Sequence, residues 1–431
     1  MRVLPACCAV LVVLAGCSLP AIGPGAPEDP NDRLGYEAGY TADASLSVTT
    51  DDGLNESERE AVLGRTMARV EELRGLEFER TVEVELISRE EYRSGGSSTP
   101  APAERAFVNA RWEALFGVGE DADATASFEQ VYGSSVIGFY SNDRIVIVSD
   151  SETPQLDSRT LAHELLHALQ DQHLGFGPRR TTFDGSRARE GLVEGDANYV
   201  ETLYEQRCGT EWDCLAVPER PESPGSFNRA IYGAIIQPYV EGPRFVRTIH
   251  DRGGWEAVND AYERFPESTE QTIHPERYPD EPVAEVTVED RSAAAWERIE
   301  RDRQTDRLGE VAVYTMFQTN DLLEDHERYN YSHPASTGWA GDRLVPYTNA
   351  ETGGAGYVWR LTWDSPSEAR EFADAYRELL RSKNATSEGG DVFVIPTGPY
   401  ADAFRVTVDG DTVTVVNAPT REELDAVYSH N

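Results

Sequence analysis

The residues of this chain best suited to chemistry lie in the stretch His163-Glu164-Leu165-Leu166-His167. Histidines four apart on a helix project from one face about one turn apart, so both imidazoles can hold a single metal ion. The glutamate after the first histidine reaches the open side of such an ion, where it can take a proton from an attacking water. Only 8 of the 431 residues are histidine. At that frequency the spacing arises by chance about 0.01–0.02 times in the whole length. The flanks supply a helix to carry it. Asp157 or Ser158 serves as cap, Leu161, Ala162, Leu165, Leu166 and Leu169 pack around the histidine face, and Gly175 lies past the end.

A zinc site that performs chemistry takes three protein ligands and leaves its fourth position to water. The stretch from Arg189 to Val200 is a second helical segment, rich in carboxylates, in which Glu190 and Glu194 share a face. Glu194 follows His167 by 27 residues, enough for a turn and an antiparallel return. Either glutamate could bind. Glu194 is preferred, because Asn198 one turn on could hold a ligating histidine by its other ring nitrogen.

Together with the intervening Ala168-Leu169-Gln170-Asp171-Gln172, this pair of motifs resembles the gluzincin group of zinc metallopeptidases. More specifically it is similar to archaeal and bacterial surface proteins of that type, including lipoproteins of halophilic archaea. The likeness runs through Ser268-Thr269-Glu270-Gln271-Thr272-Ile273-His274-Pro275-Glu276-Arg277-Tyr278 and Gly338-Trp339-Ala340-Gly341-Asp342-Arg343, and spans residues 80–370. It implies Zn2+ held by His163, His167 and Glu194, Glu164 as the base, and a peptide or protein substrate. It further implies His274 and Tyr278 as donors to a developing oxyanion. The gap before Glu194 is longer than in the best-known members, which keeps Glu190 in play.

The bulk composition narrows the partners. Net charge is −38, from 77 acidic against 39 basic residues, and Lys383 is the single lysine. Such a surface repels nucleic acid and anionic lipid. An acidic balance spread along the whole chain suits molar salt, where the Debye length is about 3 Å and self-repulsion is screened. A calcium loop is not supported: Asp121-Ala122-Asp123 begins like one, but Ala126 stands where the sharp-turn glycine belongs.

The N-terminus predicts export. Arg2 precedes an apolar run from Ala6 to Leu14, too short to span a membrane stably, and Leu14-Ala15-Gly16-Cys17 resembles a lipobox. Residues 1–17 then form a lipoprotein signal with Cys17 as the lipid anchor, which would hold the protein on the extracellular face of the membrane. Residues 18–45, with Pro20, Pro24, Pro27 and Pro30, read as a stiff tether. Cys7 and Cys8 leave with the signal, so Cys208 and Cys214 remain to close a short loop by a disulfide. Asn55, Asn330 and Asn384 begin sequons.

The predicted architecture is α+β. A zincin-like domain over 46–283 combines a mixed sheet with an edge hairpin, an active-site helix and a helical second half; a smaller α+β module follows over 284–431. A capping box Ser57-x-x-Glu60 opens a helix to Leu73, Thr81 to Ile87 alternates as a strand, and Ser94 to Pro102 is a polar loop. Val136 to Tyr140 and Arg144 to Val148 flank Ser141-Asn142-Asp143 as a hairpin. One of its strands could pair with an extended peptide above the metal. Helices are expected over Asn228 to His250 and Trp255 to Phe265, broken at Gly253-Gly254. The module holds a helix over Leu308 to Phe317, a strand over Tyr357 to Trp363, a helix opened by Asp364-Ser365-Pro366 and running to Leu380, and a strand over Val392 to Ile395. A hairpin about Asp409-Gly410-Asp411 and a helix from Thr420 close it. There is no Gly-x-Ser-x-Gly elbow, no Gly-x-Gly-x-x-Gly and no phosphate loop at Lys383. The leading expectation is a membrane-anchored zinc peptidase. The alternative is a non-catalytic surface protein whose metal is structural or whose site is idle.

Overall fold

A computed structural model describes residues 33–48, 53–95, 100–151, 154, 157–215, 227–323 and 329–429. The signal segment and Cys17 lie outside the described residues. Residues 33–48, expected to belong mostly to a free tether, are instead docked. Strands β1 (Tyr36–Glu37) and β2 (Tyr40–Thr41) form a small hairpin against helix α1 (Glu56–Arg74). Glu71 accepts from the Gly35 N–H at 2.8 Å, and Arg69 donates to the Ala42 carbonyl at 2.8 Å. Polar side chains of α1 thus satisfy this segment's main chain. The capping box of α1 is Asn55 with Glu58, two residues earlier than Ser57 with Glu60, because Asn55 holds the extended backbone a cap requires.

Strand β3 (Glu83–Ile87) is followed by helices α2 (Arg89–Gly95), α3 (Pro102–Ala114) and α4 (Ala124–Ser135). Helix α2 occupies the start of the expected polar loop, and Asp123 caps α4 rather than opening an ion-binding loop. The hairpin forms as β4 (Gly138–Ser141) and β5 (Arg144–Val148). Asn142 and Asp143 both have positive φ, the backbone that a two-residue turn of matching twist demands. Sheet order is β3-β5-β4, with β3 parallel and β4 antiparallel to β5. Of the two hairpin strands, therefore, only β4 is an edge.

Helix α5 (Ser158–Leu169) carries the two histidines and passes into a π-helical turn over Gln170–Leu174. Leu161, Leu165, Leu166 and Leu169 pack with Val62 and Val70 of α1, Ile145 and Ile147 of β5, and Ala197 and Val200 of α6 (Phe183–Arg207). Helix α7 (Arg229–Glu263) crosses α6 at main-chain distance: a Cβ on Gly195 would lie 2.5 Å from the Gly242 carbonyl carbon and oxygen. Gly253 and Gly254 break α7 with non-helical backbone, as expected, and the short α8 (Thr269–Ile273) follows.

The C-terminal part is built on a seven-stranded antiparallel sheet. Its strands are β6 (Trp296–Arg298), β7 (Trp339–Asn349), β8 (Ala355–Trp363), β9 (Thr386–Ser387), β10 (Val392–Val394), β11 (Ala403–Asp409) and β12 (Thr412–Ala418), in the order β6-β7-β8-β12-β11-β10-β9. Helix α9 (Gly309–Thr319) is buried, and α10 (Pro366–Ser382) lays Phe372, Tyr376 and Leu379 on one face of the sheet; α11 (Leu424–Val427) closes the other. Packing does not break near residue 283. One apolar cluster joins Trp112, Ile231 and Ile235 to Val311, Phe317, Trp339, Trp359 and Phe372. The structure is α+β, with a mixed sheet and a separate antiparallel sheet sharing a core.

Candidate metal centre

Asp157 caps α5, accepting from the Arg159 N–H at 3.0 Å. The apolar residues around the histidine face then hold His163 and His167 inward, both buried, with ring centroids 4.8 Å apart. Their Nε2 atoms are 3.2 Å apart, and the Glu194 Oε2 lies 3.4 Å from each. A tetrahedral ion with ligands at about 2.0–2.1 Å sets them about 3.3–3.4 Å apart, since a tetrahedron's edge is about 1.63 times its centre-to-corner distance. The three atoms therefore form one face of a zinc-sized tetrahedron.

The protons support the same conclusion. Gln170 donates through Nε2 to the Val193 carbonyl at 2.8 Å, which turns its Oε1 toward His167 Nδ1 at 2.7 Å. His167 must donate there, so its Nε2 carries a bare lone pair. His163 Nδ1 faces Glu201 Oε2 at 3.5 Å, which favours the same tautomer. Apart from the two imidazoles at 3.4 Å, the buried Glu194 Oε2 has no polar partner. With both Nε2 atoms bare, three acceptors converge on one point. That arrangement is repulsive unless a cation lies among them. Burial alone would raise the Glu194 carboxyl, yet the two imidazoles hold it down to about 2. Burial would lower His163, yet Glu194 and Glu201 lift it to about 10, so that with no other cation in the pocket a proton takes that place. The pocket's own field favours positive charge.

Glu164 is 1 % exposed, and no side chain pairs with either carboxylate oxygen. Burial pushes its pKa up, opposed by the imidazoles and by the main-chain N–H of Tyr140 on β4. It lies between the histidines and the edge strand. It is not one of the three convergent ligands, and among the described residues no fourth protein ligand joins them.

Other expected residues fall elsewhere. Glu190 is held by Arg187 at 2.5 Å and stays out of the ligand group. Asn198 donates to the Glu194 carbonyl of its own helix at 2.8 Å, so it does not support an imidazole; that work belongs to Gln170 and Glu201. His274 Nε2 pairs with the buried Glu310 at 3.1 Å, and the Tyr278 hydroxyl donates to the Arg264 carbonyl at 2.6 Å. An oxyanion role has no support in these contacts. Cys208 and Cys214 are joined, and the loop presents Asp213 to Arg65 at 2.8 Å and Arg69 at 3.2 Å.

A family model described as a domain of unknown function (DUF8575) matches residues 297–428. That span holds most of the antiparallel sheet and none of the metal-centre residues. No curated protein and no solved structure matches the chain.

A second acidic group, Glu270, Glu281 and Asp364, already encloses a cation of its own. Arg277 NH1 lies 3.0, 2.6 and 2.8 Å from the three carboxylates. Sequence reasoning missed Gln170 and Glu201 as supports. Their signal was helical spacing, with Gln170 three residues after His167 and Glu201 seven after Glu194 on the same face.

Proposed function

We propose that the chain is a zinc-dependent peptidase, exported and lipid-anchored at Cys17, of the gluzincin kind that its motifs resemble. The observation that carries this is the triangle of His163, His167 and Glu194 beside a buried glutamate with no side-chain partner. A zinc ion held there would polarise a substrate carbonyl and bring the pKa of a water to about 7. The protein's own groups do the rest. Glu164 takes the proton of the attacking water and returns it to the departing amine nitrogen. A carboxylate free of side-chain partners, with its pKa raised by burial, suits a group that must both accept and give. As an edge strand, β4 can pair with an extended peptide, so that backbone bonds position the scissile amide whatever its side chains.

The test is Glu164→Gln. The variant keeps all three ligands and is expected to retain zinc while losing cleavage of a peptide library in molar salt by on the order of 100-fold or more. Undiminished turnover would remove the mechanism. One observation favours a second reading, a surface protein with a structural metal: His163, His167, Glu194 and Glu164 are each no more than 3 % exposed. In that case zinc removal lowers stability and no peptide is cut.

A further inference from the structure

Behind His167 a chain of buried polar groups runs through the protein to α1. Gln170 donates to the Tyr262 hydroxyl at 2.7 Å, and Tyr262 donates to Asp196 Oδ2 at 2.9 Å. Asp196 is paired with Arg74 Nε at 3.2 Å, both side chains being fully buried, and Arg74 also donates to Asn259 at 2.7 Å and lies 4.4 Å over the Trp255 ring. The direction of every bond is fixed from the far end. A guanidinium is always charged, so Asp196 beside it is a carboxylate and can only accept. Tyr262 must then donate to Asp196 and accept from Gln170. With Val193 taking the second amide hydrogen, Gln170 has only its oxygen to offer His167.

We propose that Gln170 is the positioning residue of the metal centre, and that Tyr262, Asp196 and Arg74 act through it to lock His167 with Nδ1 protonated and Nε2 bare. This rests on the zinc reading above and adds what sets the ion's affinity. The two imidazoles are served differently: His163 faces Glu201, which is 30 % exposed, whereas the His167 support is closed to water. The chain also draws on three separate helices: Arg74 on α1, Asp196 on α6 and Tyr262 on α7. The ligand geometry thereby depends on the whole helical assembly being in place.

The test uses the full chain with Gln170→Leu, Tyr262→Phe and the double variant. Zinc affinity is read by chelator competition, and the His167 tautomer by nitrogen-detected NMR on metal-free protein. In the metal-free wild type His167 is expected as the Nδ1–H tautomer. Gln170→Leu should lose that signature and bind zinc 10- to 100-fold more weakly, the scale seen when groups supporting a ligand are removed. Tyr262→Phe keeps the Gln170 amide and should weaken zinc by less; in the double variant it should add nothing further, because it acts only through Gln170. If wild type binds zinc through His163 and His167 but Gln170→Leu binds equally well, or its tautomer is unchanged, the positioning role falls and the metal site stands. If wild type binds no zinc, both fall. Should Gln170→Leu fail to fold, Tyr262→Phe decides alone: unchanged affinity and tautomer would overturn the proposal.

Discussion

The crossing of α6 and α7 sets the position of Glu194 and can be tested by a single methyl group. In Gly195→Ala the new Cβ would lie 2.5 Å from the carbonyl carbon and oxygen of Gly242 and 2.8 Å from its Cα. Ordinary carbon contacts are about 3.5–4.0 Å, so the helices must part by roughly 1 Å at this turn. Both partners are main chain, and no rotamer change can relieve the clash. Overpacking of this kind costs about 1–3 kcal/mol, offset by about 1 kcal/mol from the better helix propensity of alanine. Glu194 is the preceding residue, and its Oε2 lies 3.4 Å from each imidazole. A shift of that size exceeds the roughly 0.2 Å tolerance of a metal site, and a misplacement of about 1 Å in a functional constellation can cost about 100-fold. Gly195→Ala should therefore weaken zinc binding on the order of 100-fold and lower the urea midpoint. The control is Gly233→Ala on α7, where the nearest atom is the Thr315 methyl at 3.3 Å; zinc affinity there should be unchanged. Wild-type affinity and stability in Gly195→Ala would show that the crossing does not hold Glu194 in place.

Two further outcomes follow. Burial, reinforced by Glu120 and Glu113, pushes Asp402 well above the usual carboxylate range, so the folded state holds a proton that the unfolded chain releases near pH 4. Its contribution is present at low pH and is lost as pH rises from about 4 through the raised pKa. Asp402→Asn can still accept from Asn417 and should flatten the fall in urea midpoint between pH 5 and pH 9; an unchanged pH dependence counts against the buried carboxyl. Reducing the Cys208–Cys214 bridge opens a ring with a sequence separation of 6. Chain entropy for so short a loop is about 2 kcal/mol, and Asp213 would be freed from Arg65 and Arg69. Equal urea midpoints for oxidised and reduced protein would show that the ring constrains nothing.

The parts of this fold legible in sequence were those encoded by short-range spacing. The two histidines, the hairpin about Ser141-Asn142-Asp143 and the Gly253-Gly254 break each follow from a few neighbouring residues. The end of the expected tether misled: residues 33–48 follow the prolines in sequence, yet they are held by Glu71 and Arg69 farther along the chain. Asn198 misled for a related reason. Its spacing from Glu194 is correct for a support, but a side chain at that position can also bond its own helix, and does. No local pattern announces Arg74 or Tyr262, which reach the centre only through tertiary packing. The same holds for the boundary near residue 283: composition changes there, but α9 and the antiparallel sheet share their apolar cluster with α3 and α7.

The proposed chemistry requires that His163, His167 and Glu194 share one ion. Metal analysis of the full chain purified in molar salt, with His163→Ala, His167→Ala, Glu194→Ala and Glu190→Gln alongside, addresses this most directly. One zinc per chain is predicted for wild type and Glu190→Gln, with loss in the other three. Absence of stoichiometric zinc, or zinc that survives Glu194→Ala and disappears in Glu190→Gln, would contradict it.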